Sequence, residues 1–217
     1  MLNETKKRIL SSFILLPIVS YIIIEGDILF NLLLIIILFL SIYEFYRFKL
    51  NKFLNFSATI YFLLSFYTIF SLRHMNDESA LFYFLVVFLT CIGTDIGGFL
   101  FGRIIKGPRL TKVSPNKTYA GVIGAYISSY VIILIFLVFQ NNLNLITNSF
   151  ILIILLISTV SQLGDLFVSY LKRKAKIKDT GKIIPGHGGI LDRIDGMIFA
   201  FPGAYLILYL WLLIFQY

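Results

Sequence analysis

Seven apolar runs divide this chain, at residues 9–24, 28–46, 54–72, 80–102, 119–139, 150–171 and 197–215. Each is close to the roughly 20 residues that an α-helix needs to cross about 30 Å of hydrocarbon. The first is short, carries Pro17 and follows Lys6-Lys7-Arg8, as a signal peptide would. It has no small-residue cleavage site, however, and leads through Glu25-Gly26-Asp27 into a second apolar run, so an uncleaved first span is expected. The pattern predicts an all-α, polytopic membrane protein of about seven transmembrane helices. Residues 1–217 read as a single integral membrane domain with no soluble appendage, and no internal repeat is visible.

The polar residues between the runs set the orientation. With the N-terminus in the cytoplasm, every one of the 19 Lys and Arg except Arg73 falls on the cytoplasmic side, as the positive-inside rule requires. The opposite loops, with Glu25 and Asp27, Asp77 and Glu78, and residues 140–148, are acidic or neutral. Composition agrees, at 59% hydrophobic and 14% charged residues against about 25% charged in soluble proteins. A formal charge of +8 would suit nucleic acid. The bases, though, sit in short clusters between apolar runs, where they face anionic headgroups or a phosphate-bearing substrate. The lipid bilayer is therefore an expected partner and nucleic acid is not. The single cysteine, Cys91, lies inside an apolar run, which excludes an intrachain disulfide and argues against thiol chemistry.

One stretch, residues 165–196, is not explained by a bilayer. It sets four aspartates, many bases and a Gly-rich turn directly against apolar helices, and ionisable groups beside a membrane are costly enough to mark function. On a helix, Ser161, Asp165, Ser169 and Lys172 follow at spacings of four, four and three and share a face. A carboxylate there needs either a divalent cation or a lysine partner, and Lys172 could be that partner. Asp192 and Asp195 flank Arg193 at the start of the last run. Acids at a helix start are ordinary capping residues. Here, however, Pro185-Gly186-His187-Gly188-Gly189 precedes them, and glycines let backbone N–H groups converge on an anion. With Lys172, Arg173 and Lys178 nearby, the stretch has the makings of a magnesium–phosphate site. His187, one of two histidines, suits a hydrogen bond or a phosphate contact; zinc is not expected.

A second polar knot runs from Thr94-Asp95-Ile96-Gly97-Gly98 through Arg103 to Ser114-Pro115-Asn116-Lys117-Thr118. Its glycines permit close helix approach, while its bases and hydroxyls form an inventory for holding a polyphosphate. Glu44, in Tyr43-Glu44-Phe45-Tyr46, is a third acid at this face and reads equally as an interfacial anchor among aromatics. All the unusual polarity thus gathers at one face, as suits a reaction between a lipid and a water-soluble, highly anionic partner.

These residues resemble a known signature, that of the phosphatidate cytidylyltransferase (CDP-diacylglycerol synthase) family. Ser169, Lys172-Arg173, Lys178-Asp179, Gly181, Pro185, His187-Gly188-Gly189, Asp192-Arg193 and Asp195 stand at the family's spacing. Asp95 to Arg103 and Ser114-Pro115-x-Lys117-Thr118 resemble its middle region. The sequence departs at Tyr119-Ala120-Gly121, where members commonly carry Trp-Glu or Trp-Gln before the glycine, so no acid is available there. The resemblance covers about the C-terminal 125 residues, and residues 1–78 match only in character. It implies transfer of the cytidylyl group of CTP to phosphatidic acid, giving CDP-diacylglycerol and pyrophosphate. On this reading residues 79–217 are the catalytic core and residues 1–78 the N-terminal spans. It also implies Mg²⁺ bound by Asp165 and Asp192, a second, monovalent cation such as K⁺, a helical membrane homodimer, and a multi-pass location in a bacterial inner (cell) membrane. The expected catalytic residues are Asp165, Asp192 and Lys172. Those expected to hold substrate are Ser169, Arg173, Lys178, Asp179, His187, Gly188, Gly189, Arg193, Asp195, Ser114, Lys117, Thr118 and Asp95.

Two other readings are weaker. Asp192-x-x-Asp195-Gly196 echoes the opening of the CDP-alcohol phosphotransferase motif, but no acid follows Asp195 and that motif needs two more. A transporter or binding protein for an anionic, phosphate-bearing solute would place charge at the midplane between repeats, whereas here it gathers at one face.

Overall fold

Every apolar run is helical in the computed structural model, which describes residues 4–75, 79–111, 113–181, 183 and 188–215. The helices are α1 (Glu4–Glu25), α2 (Asp27–Tyr46), α3 (Lys52–Arg73), α4 (Ala80–Ile104), α5 (Tyr119–Phe139), α6 (Asn148–Lys174), the single turn α7 (Leu191–Ile194) and α8 (Met197–Phe215). Among the described residues there is no strand, and Arg109 and Thr118 in the α4–α5 loop form an isolated antiparallel bridge. Local chemistry sets several helix starts. The side chains of Asn51, Thr118 and Thr147 accept from the N–H groups of Leu54, Gly121 and Phe150 at 2.8, 3.1 and 3.2 Å, each satisfying one of the orphan donors of a first turn. Helix α6 ends on Lys172, Arg173 and Lys174, bases that suit the negative end of the helix dipole.

Among the described residues, five helices, α2 to α6, are long and apolar enough to cross a membrane by length and composition. Helix α1 contributes a shorter apolar stretch, Phe13–Glu25, and runs unbroken through Pro17.

Helix α8 lies against α6, α3 and α4, while α4 packs most extensively on α5. One apolar cluster joins Ile23, Phe30, Leu72, Phe84, Val87, Ile157, Phe201 and Ala204 across six helices. A second, at the opposite end of α2, joins Phe45, Phe48, Phe62, Phe66, Val168, Leu171, Leu191 and Ile198. The close α4–α5 approach depends on glycine, since a Cβ on Gly97 would strike the Gly124 carbonyl and the Ser128 side chain, as small residues at membrane helix interfaces permit. Buried hydroxyls tie the helices further. Thr94 donates to Ser158 at 2.8 Å, and Ser65 donates to the Ile198 carbonyl at 2.7 Å.

Candidate active site

Close packing of α4 on α5, with α6 beside them, leaves a cavity of about 420 Å³ at one end of the bundle. Helix α4 contributes Thr94, Asp95, Gly98 and Phe99, and α6 contributes Gln162, Asp165, Leu166 and Lys172. The α4–α5 loop adds Ser114, Asn116, Lys117 and Thr118, while Asp179, Asp192, Arg193 and Asp195 come from the segment between α6 and α8. Ten residues expected from the sequence to act or to bind are therefore neighbours around one space, although they arise from three separate parts of the chain.

The helical spacing survives, but the charge partners differ from the simplest expectation. Ser169 Oγ lies 3.4 Å from Asp165 Oδ1, one turn along α6. Lys172, however, turns to Asp192 at 2.8 Å and toward Asp195 at 3.8 Å, and Asp165 pairs with Lys117 of the α4–α5 loop. The Asp165–Lys172 pair suggested by spacing gives way to two pairs that join separate elements. The α4–α5 loop is itself shaped by the Leu110 N–H donating to the Lys117 carbonyl at 2.8 Å and the Lys117 N–H donating to the Ser114 carbonyl at 3.0 Å.

Asp192 is the most fully held carboxylate. Its Oδ1 accepts from Lys172, and its Oδ2 accepts from the N–H groups of Thr180 at 2.8 Å and Gly189 at 3.2 Å, with the Thr180 hydroxyl at 3.0 Å. Burial alone would push this carboxyl up, but Lys172 and the two N–H groups outweigh it and hold the group below the usual aspartate range. Asp195 is the reverse case. Burial, and next the Asp165 charge, push it well above that range, with Asp95 adding to the effect and Lys172 only partly offsetting it.

The acids therefore crowd more negative charge into the cavity than its bases neutralise, which fits a bound cation. Among the described residues no three Asp, Glu, His or Cys side chains are grouped closely enough to hold a metal ion by themselves. The donor set suits a hard cation that completes its shell elsewhere, since Mg²⁺ usually takes one or two carboxylates plus phosphate oxygens.

Ser169, Arg173, Lys178, Gly188 and Gly189 sit outside the cavity lining. Arg173 ties α6 to its surroundings, donating to the carbonyls of Val113 at 3.4 Å and Ile177 at 3.3 Å. Lys178 is exposed, whereas Gly189 is buried under Glu44 and Thr180. Gly188 takes a left-handed φ of 86°, where a side chain would be strained. Thr118 lines the cavity while its oxygen caps α5. His187, with Pro185 and Gly186, lies outside the described residues.

Two residues emerge that the sequence did not single out for this role. Thr180 carries no signal in the sequence beyond a hydroxyl between Asp179 and Gly181 in a signature loop. Glu44, which reads as an interfacial anchor among aromatics, is instead fully buried and accepts backbone N–H groups from residues 190 and 191.

Comparison with known proteins points the same way. The model of the cytidylyltransferase family matches residues 50–211. A protein of Staphylococcus saprophyticus named phosphatidate cytidylyltransferase is 39% identical over 140 residues, covering 64% of this chain and 52% of its own length. One of the same name from Helicobacter pylori is 35% identical over 154 residues, covering 67% and 53%. A third, from Rickettsia felis, is 31% identical over 216 residues, covering 92% and 90%. The chain thus spans about half the length of the first two of these curated relatives. The likeness to the rickettsial protein reaches into the N-terminal helices, further than the motifs alone carried it.

Proposed function

Since this chain belongs to the cytidylyltransferase family, we propose that it transfers the cytidylyl group of CTP to phosphatidic acid, forming CDP-diacylglycerol and releasing pyrophosphate. The observation that carries this reading is the cavity at one end of an apolar helical bundle, where Asp95, Asp165, Asp192 and Asp195 meet Lys117, Lys172 and Arg193. The protein is a multi-pass protein of a bacterial inner membrane. We place its N-terminus in the cytoplasm and count seven spans, a reading supported by the segregation of every base but Arg73 to one side. The cavity then opens where CTP is dissolved and a lipid phosphate lies at the interface.

In the reaction an oxygen of the lipid phosphate attacks the α-phosphorus of CTP. A new P–O bond forms, the bond from the α-phosphorus to the bridging oxygen breaks, and pyrophosphate leaves with that electron pair. The lipid phosphate is already ionised, so no protein nucleophile is needed, and neutralising charge is most of the task. Lys117, from the α4–α5 loop, and Lys172, from α6, both line the cavity and shield the approaching anions from one another. The Thr180 and Gly189 N–H groups fix the Asp192 carboxylate in place. A Mg²⁺ held by Asp165 and Asp192 supplies, when bound, positive charge beside the triphosphate and the leaving pyrophosphate. Asp95, Asp179 and Asp195 are the cavity carboxylates then left, and a second, monovalent cation such as K⁺ would be held among them. A homodimer is inferred from the family resemblance, and a mass measurement in detergent tests it.

Position-specific label tests the reaction. Purified protein is given phosphatidic acid with CTP labelled at either the α- or the γ-phosphorus, and the lipid is extracted. Label from the α position should enter a lipid that carries cytidine, and label from the γ position should leave as pyrophosphate. Lipid labelled only from the γ position would show a kinase instead.

A further inference from the structure

Among the described acids at the cavity end of the bundle, Glu44 alone stays out of the cavity. It sits on α2, remote in sequence from every motif around the site, and its side chain is fully buried. Burying a carboxylate is costly unless converging donors satisfy it. Here three converge. Oε1 accepts the Ile190 N–H at 3.1 Å, and Oε2 accepts the Leu191 N–H at 2.9 Å and lies 2.8 Å from the Thr180 hydroxyl. The turn has also kept the room this carboxylate needs. A Cβ on Gly181 would strike the Glu44 carboxylate, and one on Gly189 would strike both Glu44 and Thr180. The two ends of the loop, near 180 and near 190, are wrapped around one side chain from another helix.

The same loop ends also hold Asp192. Its Oδ2 accepts from the N–H groups of Thr180 and Gly189, and the Thr180 hydroxyl stands between the two carboxylates, 2.8 Å from Glu44 and 3.0 Å from Asp192. A hydroxyl carries one proton, so it donates to one carboxylate at a time, yet both fix where its oxygen sits. An interfacial anchor would be served by a tyrosine or tryptophan, and simple packing by a leucine. Neither offers two oxygens to three donors. Glu44 therefore contributes acceptor geometry, and its output is the position of Asp192 against Lys172.

We propose that Glu44 is a positioning residue for the transfer reaction: through Thr180 and the turn at 188–191 it fixes the Asp192 carboxylate without itself touching substrate. Its kinetic part rests on the reading of the reaction given above; its structural part does not. The test uses the full chain in detergent. Glu44→Gln keeps the shape but turns an NH₂ group toward N–H donors. Amide hydrogen exchange in the peptide covering 188–195 should accelerate, while exchange across α4 should match wild type. The value of kcat should fall roughly 100-fold, the scale of a small misplacement of a reacting group, with KM for CTP unchanged. Thr180→Val should lower kcat in the same way, and Thr180→Ser, which restores the hydroxyl, should recover most of it.

As a control, Ser41 lies one turn earlier on the same buried face of α2 and bonds only within its helix, to the Ile37 carbonyl at 2.7 Å. Ser41→Ala should leave exchange and kcat at wild-type values. Wild-type exchange and kcat in Glu44→Gln would overturn the proposal. So would a kcat that falls only in parallel with the fraction of folded protein. If Glu44→Gln does not fold, Thr180→Val decides, and full kcat in that variant overturns it. A wild-type protein that makes no cytidylylated lipid sinks the reading of the reaction instead, and the exchange measurement still decides whether Glu44 holds the turn.

Discussion

Two charged side chains, at opposite ends of α2, reach across the bundle to satisfy backbone groups of a different element. At one end Arg73 of α3 donates from Nε to the Ile23 carbonyl at 3.0 Å and from Nη2 to the Ile24 carbonyl at 2.9 Å, closing the last turn of α1. At the other end Glu44 takes the N–H groups of Ile190 and Leu191. Both supply partners for groups that a helix end or turn leaves unsatisfied. They differ in their surroundings. Arg73 lies over the Phe30 ring and fills the space beside Gly26, and the neighbouring His74 stacks on Phe70. Charge there is matched to what the backbone asks for. Beyond Glu44 lie Asp95, Asp165, Asp192 and Asp195, facing a cavity with fewer bases to meet them. Charge spent on backbone groups marks architecture, and charge in excess of the fold's needs marks chemistry.

Mutations at the two ends should therefore move different observables. The largest effect is expected at Asp165. Asp165→Asn keeps size and polarity but removes a charge from the cavity, and kcat should fall ~10³-fold or more if charge stabilisation dominates the reaction. Asp192→Asn should behave alike, with both variants still inserting into membranes and purifying normally. Near-normal turnover at saturating Mg²⁺ in either one would break the contrast, because the cavity charge would then be structural.

A smaller loss is expected for Lys172→Met, roughly 100-fold in kcat/KM, the scale for removing one charged donor from a reacting site. It carries a pH signature. Burial pushes Asp192 up, and Lys172 leads the groups that bring it below its ordinary value. Such a carboxylate stays ionised until the pH falls through its lowered folded-state value. Without Lys172 that value rises, so the acid limb of the pH–rate profile should shift to higher pH. An unmoved limb would mean that the Thr180 and Gly189 N–H groups suffice.

At the other end, Arg73→Met should cost about 1 kcal/mol of stability, the scale of a partly exposed charged hydrogen bond lost from a helix end. It should leave kcat at the wild-type value. Thermal unfolding in detergent and the lipid assay, run side by side, check both halves. A fall in kcat without loss of stability would place function at that end too.

Much of this was legible in the sequence because membrane helices obey a simple rule of length and polarity. The runs 119–139 and 197–215 coincide with α5 and α8, and the others lie within helices whose ends extend beyond them. The residues of the cavity were legible as well, since carboxylates and bases beside apolar runs need a reason to be there. Pairing was not. Spacing puts Asp165, Ser169 and Lys172 on one face of α6, but it cannot show that Lys172 reaches Asp192 or that Lys117 comes over from another loop. The role of Glu44 was hidden for the same reason. Its partners lie 136 to 147 positions away, while its immediate neighbours, Tyr43, Phe45 and Tyr46, imitate an interfacial girdle. Local sequence reports what a segment is; contacts between distant segments decide what its polar residues do.

The smallest expected effect concerns Asp195, and it has the opposite sign. Burial first, then the Asp165 charge, push its carboxyl well above the ordinary value. The folded state therefore holds a proton at pH values where the unfolded chain has already lost it. Below the ordinary aspartate range, near pH 4, that preference contributes its full stability. The contribution is lost as pH rises through the raised folded-state value, where a charge must be carried in a buried site beside other acids. Asp195→Asn mimics the protonated form at every pH. In the presence of a chelator it should melt with wild type near pH 4 and above it by on the order of a few degrees at pH 8. Turnover should nevertheless fall, because the removed charge belongs to the excess that faces the cavity. Added Mg²⁺ should narrow the gap in melting temperature by neutralising the wild-type cavity. Equal melting temperatures across the whole range would mean that Lys172, 3.8 Å away, already compensates Asp195, and that the excess charge resides in the other cavity acids.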